Sequence, residues 1–130
     1  MTRSKQRRAT VIYESEQGIL LTRISTEPWL LPGGLAEYNE PRIIAAIREL
    51  QEETGLLATD VKYLFEFEST FYLQKVFLIR AQGSPRPCKE VNFLAYYHPL
   101  DTELIPQINR SSLKIIQKYH SMHPSEHFQN

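Results

Sequence analysis

Stretches rich in β-branched and aromatic residues recur along the chain, and each predicts a β-strand. They are RATVIYES at 8–15, GILLTRI at 18–24, VKYLFEFEST at 61–70, FYLQKVFLIRAQG at 71–83 and NFLAYYHP at 92–99. A short turn ending in Gly18 separates the first two, so we expect them to form a hairpin. The segment WLLPGGLAEYNEP at 29–41 carries prolines and glycines and predicts a loop.

The segment PRIIAAIRELQEET at 41–54 has the apolar spacing of a helix. Pro41 suits the first helical position, where its missing N–H would be unpaired anyway, and Gly55 suits the left-handed residue just past the end. A helical wheel predicts a core stripe of Ile43, Ile47, Leu50 and Thr54. The opposite side carries Arg42, Ala45, Ala46, Glu49, Glu52 and Glu53. We expect the small alanines to leave open space there for a ligand or metal ion.

A second helix is predicted near the end, in NRSSLKIIQKYHSMH at 109–123, with Asn109 or Ser111 as its cap. Strands therefore flank a central helix, and another helix follows them. This order predicts an α/β or α+β layered domain with a mixed sheet. The 130 residues suit a single domain over 1–130, and we find no internal repeat or linker.

Charge and composition exclude several classes of partner. The formal net charge is +0, which favours neither nucleic acid nor an acidic membrane. The basic residues Arg3, Lys5, Arg7 and Arg8 could contact a phosphate, but the favoured interpretation is a solvated arm leading into the first strand. A single cysteine, Cys88, fits a reducing compartment, and no apolar run is long enough to span a bilayer. We expect a soluble, cytoplasmic protein with no signal peptide.

Three glutamates in the central helix raise the main chemical question. Glu49, Glu52 and Glu53 stand at i, i+3 and i+4, where each exposed like-charge pair costs roughly 0.2–0.5 kcal/mol. Arg48 can pair with Glu52 and relieve part of this repulsion. One interpretation is a solvated acidic face, and the other is a bound divalent cation, for which clustered oxygen ligands indicate Mg²⁺ or Mn²⁺.

The glycines ahead of this helix favour the metal interpretation. Gly33 and Gly34 can bring bare backbone close to a ligand, with no side chain in the way. The following helix start offers free N–H groups and the positive end of the helix dipole. Together these features indicate a site for a phosphorylated substrate bridged by metal.

Residues 34–56, GLAEYNEPRIIAAIRELQEETGL, match the Nudix box G-x5-E-x7-R-E-U-x-E-E-x-G-U, in which U is aliphatic, at every specified position. The matching residues are Gly34, Glu40, Arg48, Glu49, Leu50, Glu52, Glu53, Gly55 and Leu56. WLLPGG ahead of the box and KEVNFLAYYHPLDTEL after it also resemble family segments. Asn39 stands where many members carry Gly, and Asn is the next best residue for a left-handed conformation. The resemblance implies the Nudix fold, an α/β/α sandwich around a mixed sheet.

The resemblance also implies a hydrolase of nucleoside diphosphates linked to another group, X. Water attacks a phosphorus in such enzymes while Mg²⁺ neutralises the developing charge. By position, the metal ligands would be Glu49, Glu52, Glu53 and the carbonyl of Gly34. Glu53 or Glu52 could orient or deprotonate the water, and Glu90, a match for a late family glutamate, is a further candidate base or ligand. Glu90 could equally be an ordinary exposed residue.

The resemblance assigns two residues of the box a structural role. Arg48 and Glu40 would form an ion pair that holds the loop against the helix.

The sequence identifies substrate residues less sharply. Arg23 could reach a substrate phosphate or be a solvated arginine at a strand end. Trp29, Phe71 and Tyr72 could stack on a base or belong to the core. His120, His123 and His127 could bind metal, although a polar tail is the favoured interpretation.

Two other functions compete with a nucleotide pyrophosphohydrolase. A Nudix-fold regulatory module would bind a nucleotide without cleaving it, but such a module would be expected to lose box glutamates, and all are present. Action on capped or triphosphorylated RNA ends is disfavoured by the lack of a basic stripe. Family members often dimerise, so a homodimer is possible. The identity of X stays open among nucleoside triphosphates, ADP-ribose, nucleotide sugars and dinucleoside polyphosphates.

Overall fold

Two β-sheets and two α-helices make up the computed structural model, which describes residues 4–122. The elements, in chain order, are β1 Gln6–Ile12, β2 Glu14–Ser15, β3 Gly18–Arg23, β4 Gly33–Leu35, α1 Arg42–Thr54, β5 Leu57–Glu68, β6 Tyr72–Gln82, β7 Phe93–Tyr97, a short 3-10 helix Ile105–Gln107, and α2 Arg110–Ser121. Among these residues, neither helix has the length and apolar character needed to cross a membrane.

The larger sheet is mixed, as predicted. Its order is β4-β1-β6-β5, and β1 runs parallel to β6 but antiparallel to β4. The smaller sheet, β2-β3-β7, is antiparallel throughout. The short strand β4 lies at the edge of the larger sheet, inside the segment that the sequence predicts to be a loop.

The larger sheet has a helix packed on each face, because side chains along its central strands point alternately to the two faces. Ala9 and Val11 of β1 pack with buried residues of α1, whereas Ile12 packs with Ile115 and Tyr119 of α2. Successive strand residues point to opposite faces, so one strand serves both cores. The predicted α/β/α sandwich is confirmed.

The predicted core face of α1 is only partly right, because Leu50 and Thr54 are buried but Ile43 is not. Ala45 and Ala46 are fully buried against the sheet, while Ile43 and Ile44 are 40% and 49% exposed. Leu50 is buried as expected. The small alanines do not leave open space, because they let the helix backbone lie close to the sheet at native packing density.

The predicted hairpin is also only partly right. Glu14 and Ser15 pair with Ile19 and Gly18, but Gln6–Ile12 belongs to the other sheet, where it pairs on both sides. Lys5 and Arg7 contact neighbouring residues, so this part of the predicted solvated arm is ordered structure. Arg3 lies outside the described residues.

Three predicted conformations at the ends of helices are confirmed. Gly55 closes α1 in the left-handed conformation, at φ 78°. Asn39 adopts φ 60°, so it replaces glycine in the loop before α1. The side chain of Asn109 caps α2 by accepting a hydrogen bond from the backbone N–H of Ser112. Pro41, predicted at the first helical position, precedes α1 with an extended ψ of 144°.

Candidate active site

Two glycines of β4 let carboxylates of α1 reach the edge of the larger sheet. Gly33 pairs with Thr10, and Gly34 pairs with Ala9. A Cβ added at Gly34 would lie 2.5 Å from Cδ of Glu49, so a side chain there would displace the carboxylate. The bare backbone at Gly34 and the Glu49 carboxylate therefore occupy one small space, as the sequence predicts.

Glu53 lies in the same space and carries poorly compensated charge. Its Oε1 accepts a hydrogen bond from the backbone N–H of Gly33 at 3.1 Å. Burial, together with the neighbouring Glu49 carboxylate, raises the pKa of Glu53 to about 7, although Gly33 and the Arg8 guanidinium act in the opposite direction. Two acidic side chains thus face each other where water is largely excluded, which favours a bound cation.

Arg48 organises the other side of the acidic face. Its Nε and Nη2 donate to the two oxygens of Glu40 at 2.8 and 2.9 Å, forming the predicted ion pair. Its Nη1 donates to Glu49 at 2.8 Å and to Glu52 at 3.2 Å. The hydrogen bonds from Arg48, followed by one from the backbone of Glu37, lower the pKa of Glu40 to about 2. The loop ahead of α1 is held to the helix by this guanidinium.

The donor set fits a hard divalent cation, although its members are not gathered around one point. Within residues 4–122, no three His, Cys, Asp or Glu side chains converge in a geometry ready for a metal ion. Arg48 occupies oxygens of Glu49 and Glu52, and Lys89 lies 3.3 Å from Glu52. The oxygen-only donors and the close Gly34 backbone suit Mg²⁺ or Mn²⁺. Arg48 and Lys89 therefore contact the same carboxylates that would coordinate a metal ion.

Glu90 lies in a loop that contacts the end of α1. The backbone N–H of Cys88 donates to the carbonyl of Glu53 at 3.0 Å, and that of Arg86 donates to Thr54 at 3.0 Å. Glu90 itself is exposed, and within the described residues no hydrogen bond or ion pair joins it to the glutamates of α1. Its role as base or ligand stays a prediction.

Sequence reasoning missed a cavity beside Glu53 that is lined by Arg8. The cavity has a volume of about 230 Å³. It is lined by Arg8, Thr10, Leu30, Tyr72, Gln74, Asn109, Ser111 and Ser112. Within residues 4–122, no hydrogen bond or ion pair joins the half-buried Arg8 guanidinium to another group. Burial lowers the pKa of Arg8, while Glu53, Tyr72 and Glu49 partly oppose this effect. We refer to this space as the Arg8 cavity.

One signal in the sequence could have identified Arg8. Strand alternation places Arg8 on the same side of the predicted first strand as Thr10 and Ile12. An arginine in line with apolar residues is not a solvated arm. Tyr72, predicted to contact substrate, does line this cavity.

The remaining candidate substrate residues lie elsewhere. Trp29 is 7% exposed and packs in the core, which supports the alternative that it is structural. Arg23 lies over the Trp29 ring and donates to the carbonyls of Glu27 and Thr26, so it stabilises the β3–β4 connection. Phe71 is 66% exposed beside Tyr72.

Only one of the three C-terminal histidines, His120, lies within the described residues. His120 lies 3.9 Å from the carboxylate of Glu14. His123 and His127 lie outside the described residues.

The Nudix domain model matches residues 4–119, nearly the whole chain. The chain belongs to the Nudix hydrolase family. A crystal structure of a nudix hydrolase family member from Chromobacterium violaceum is similar, with 33% identity and a TM-score of 0.86 over 97% of this chain and 86% of that one.

Two further matches have a lower identity or cover less of the chain. A MutT Nudix hydrolase from Burkholderia pseudomallei shares the fold, with a TM-score of 0.74 at 19% identity over 88% of this chain and 98% of that one. The m7GpppN-mRNA hydrolase NUDT17 of Xenopus laevis is 38% identical over an alignment of 71 residues, and the match covers 48% of this chain and 24% of that protein. The chain thus matches about a quarter of this curated relative.

Proposed function

We propose that the chain is a metal-dependent pyrophosphohydrolase that cleaves the pyrophosphate linkage of a nucleoside diphosphate joined to a group X. The observation that carries the proposal is the pair of carboxylates, Glu49 and Glu53, enclosed over the glycines of β4. Burial, with repulsion from Glu49 as a smaller contribution, raises the pKa of Glu53 to about 7. Such a pair destabilises the folded protein unless a cation or a proton binds there, and pairs of this kind are typical of functional sites.

Mg²⁺, or Mn²⁺ in its place, would be held by Glu49, Glu52, Glu53 and the carbonyl of Gly34. When bound, the ion supplies positive charge that offsets the charge developing on the diphosphate. Arg48 is the positioning residue, because one guanidinium contacts both Glu49 and Glu52. For these carboxylates to bind metal, the contacts with Arg48 and Lys89 must rearrange.

The side chains of the protein have distinct roles in this proposal. Gly33 fixes one oxygen of Glu53 through its N–H, which leaves the other oxygen for a ligand or a water. Glu53, Glu52 and Glu90 are the candidates for the base that accepts the proton of the attacking water. The Arg8 guanidinium neutralises a substrate phosphate beside Glu53. Tyr72 contacts the nucleoside within the Arg8 cavity.

The decisive experiment measures turnover of nucleotides by purified protein with Mg²⁺ or Mn²⁺. The panel contains nucleoside triphosphates, including oxidised ones, ADP-ribose, nucleotide sugars and dinucleoside polyphosphates. We expect hydrolysis of at least one class, lost on chelation and restored by metal. Metal-competent, folded protein that turns over none of them would contradict the proposal. Thermal stabilisation by a nucleotide that is never cleaved would instead favour a regulatory module.

Glu→Gln substitutions distinguish the three candidate bases. Each variant is compared with Glu103→Gln, which removes an exposed carboxylate away from α1. Loss of a base lowers kcat while nucleotide affinity is retained, whereas loss of a ligand also weakens metal binding, which calorimetry measures separately. If Glu90→Gln behaves like the control, the base is Glu53 or Glu52.

A further inference from the structure

A second concave region adjoins the Arg8 cavity at the start of α2. It has a volume of about 580 Å³ and shares Ser111 with the Arg8 cavity. Its lining is basic and hydroxyl-rich, with a single aromatic residue, and consists of Lys5, Phe67, Glu68, Ser69, Thr70, Arg110, Ser111 and Lys114. We refer to it as the basic cavity.

Positive charge in the basic cavity is not balanced by the protein. Lys5 pairs with Glu68 and donates to the carbonyl of Ser69 at 2.8 Å. Arg110 and Lys114 are exposed, and within residues 4–122 neither has a hydrogen bond or ion pair. They stand at i and i+4, so their charges repel. The first turn of α2 contains no acidic residue, and its peptide dipoles add to the positive potential.

The basic cavity is also lined by hydroxyl groups. Thr70 and Ser111 contribute hydroxyl groups to the lining, as does Ser69, whose hydroxyl donates to the carbonyl of Tyr72 at 3.4 Å. Guanidinium, ammonium and hydroxyl groups together recognise phosphate oxygens, whereas a neutral sugar or an apolar ring would leave both cations uncompensated.

We propose that the basic cavity is a subsite for a second phosphate of the substrate, outside the diphosphate that is cleaved. This inference rests on the proposed function, since it takes the scissile diphosphate to bind at Glu49 and Glu53 and the nucleoside to bind in the Arg8 cavity. The shared wall at Ser111 then places the basic cavity next to the bound nucleoside. The substrate class is a nucleotide with an additional phosphate, either on the ribose or further along a polyphosphate chain.

Binding measurements test the subsite without requiring turnover. Calorimetry compares adenosine 3′,5′-bisphosphate with adenosine 5′-monophosphate, and adenosine 5′-tetraphosphate with adenosine 5′-triphosphate. The proteins are the unchanged chain, the double variant Arg110→Gln/Lys114→Gln, and Lys118→Gln. The last removes one charge from the same helix, one turn beyond the basic cavity, and serves as the matched control.

We expect the unchanged protein to prefer the ligand with the additional phosphate in one of the two pairs by about fivefold or more. The double variant loses that preference, and Lys118→Gln keeps it. Preference within the first pair identifies a ribose phosphate, and preference within the second identifies a polyphosphate chain. Equal affinity in both pairs, or a preference that survives in the double variant, overturns the subsite. A preference in a protein that hydrolyses nothing would leave the subsite standing and the proposed function refuted.

Discussion

Two glutamates at opposite ends of the Nudix box have the same ordinary pKa and opposite environments. Glu40 accepts hydrogen bonds from Arg48 and from the backbone N–H of Glu37, and its pKa falls to about 2. Glu53 is half-buried beside Glu49, and this burial raises its pKa to about 7. Identical side chains within one short motif therefore lose their protons in different pH ranges.

The difference separates structural from chemical roles in the box. A carboxylate whose lone pairs are used by an arginine stabilises the fold and has little capacity left for a ligand. A carboxylate that is buried against another negative charge destabilises the fold unless a cation or proton joins it, and such groups are typical of functional sites. We therefore expect Glu40 to hold the loop and Glu53 to take part in the proposed chemistry.

The largest expected effect is on turnover. Glu53→Gln should lower kcat at least about 100-fold, since it removes a proposed metal ligand and candidate base. Metal-free stability should be unchanged or higher, because the variant also removes the repulsion with Glu49. Rates and chemical unfolding, measured with Glu103→Gln as control, check both parts. A variant with full rate would show that Glu53 is not central.

The free energy of unfolding should change most when Arg48, the partner of Glu40, is replaced. Arg48→Ala should lower the free energy of unfolding by about 2 kcal/mol or more, because several charge-assisted hydrogen bonds are lost and carboxylates are left unpaired. Arg48→Lys should lose less, since a single ammonium cannot span the same oxygens. Equal stability of the alanine variant and the unchanged protein would refute the structural role of this residue.

Replacing Arg8 tests whether the guanidinium that partly offsets the charge of Glu53 also binds substrate. Arg8→Gln should raise KM for the nucleotide substrate about tenfold, since a half-buried guanidinium that binds phosphate is removed. Arg7→Gln is the matched control. Arg7 is the residue before Arg8 in β1, and it points to the opposite face of the strand. Its guanidinium donates to the carbonyl of Glu40. Similar KM values for the two variants would exclude Arg8 from the substrate site.

The smallest effect is the dependence of stability on pH. The pKa of Glu40 is lowered from 4.5 to about 2 in the folded protein, so its contribution is fully present above about pH 4.5. That contribution is lost as pH falls through about 2. The stability difference between the unchanged protein and Glu40→Gln should therefore narrow between these pH values, which denaturant titrations at each pH can measure. A constant difference would contradict the pairing.

The sequence by itself determined the box and most features of the helix ends, because each depends on residues close together in the chain. The order of elements indicated the mixed sheet, although β1 and its parallel partner β6 are far apart in the chain. Gly55, Asn39 and Asn109 set local backbone or cap geometry, and the ion pair of Glu40 with Arg48 joins residues only eight positions apart. The spacing of the glutamates likewise identified the acidic face, because positions i, i+3 and i+4 are neighbours on a helix.

Only the tertiary structure decided which surfaces meet. It buried Ala45 and Ala46 in place of Ile43, placed Trp29 in the core, and brought Arg8 beside Glu53 across the glycines of β4. Burial depends on the distance between layers, and charge compensation depends on contacts between elements far apart in sequence. Neither quantity is contained in the spacing of residues along one helix or strand.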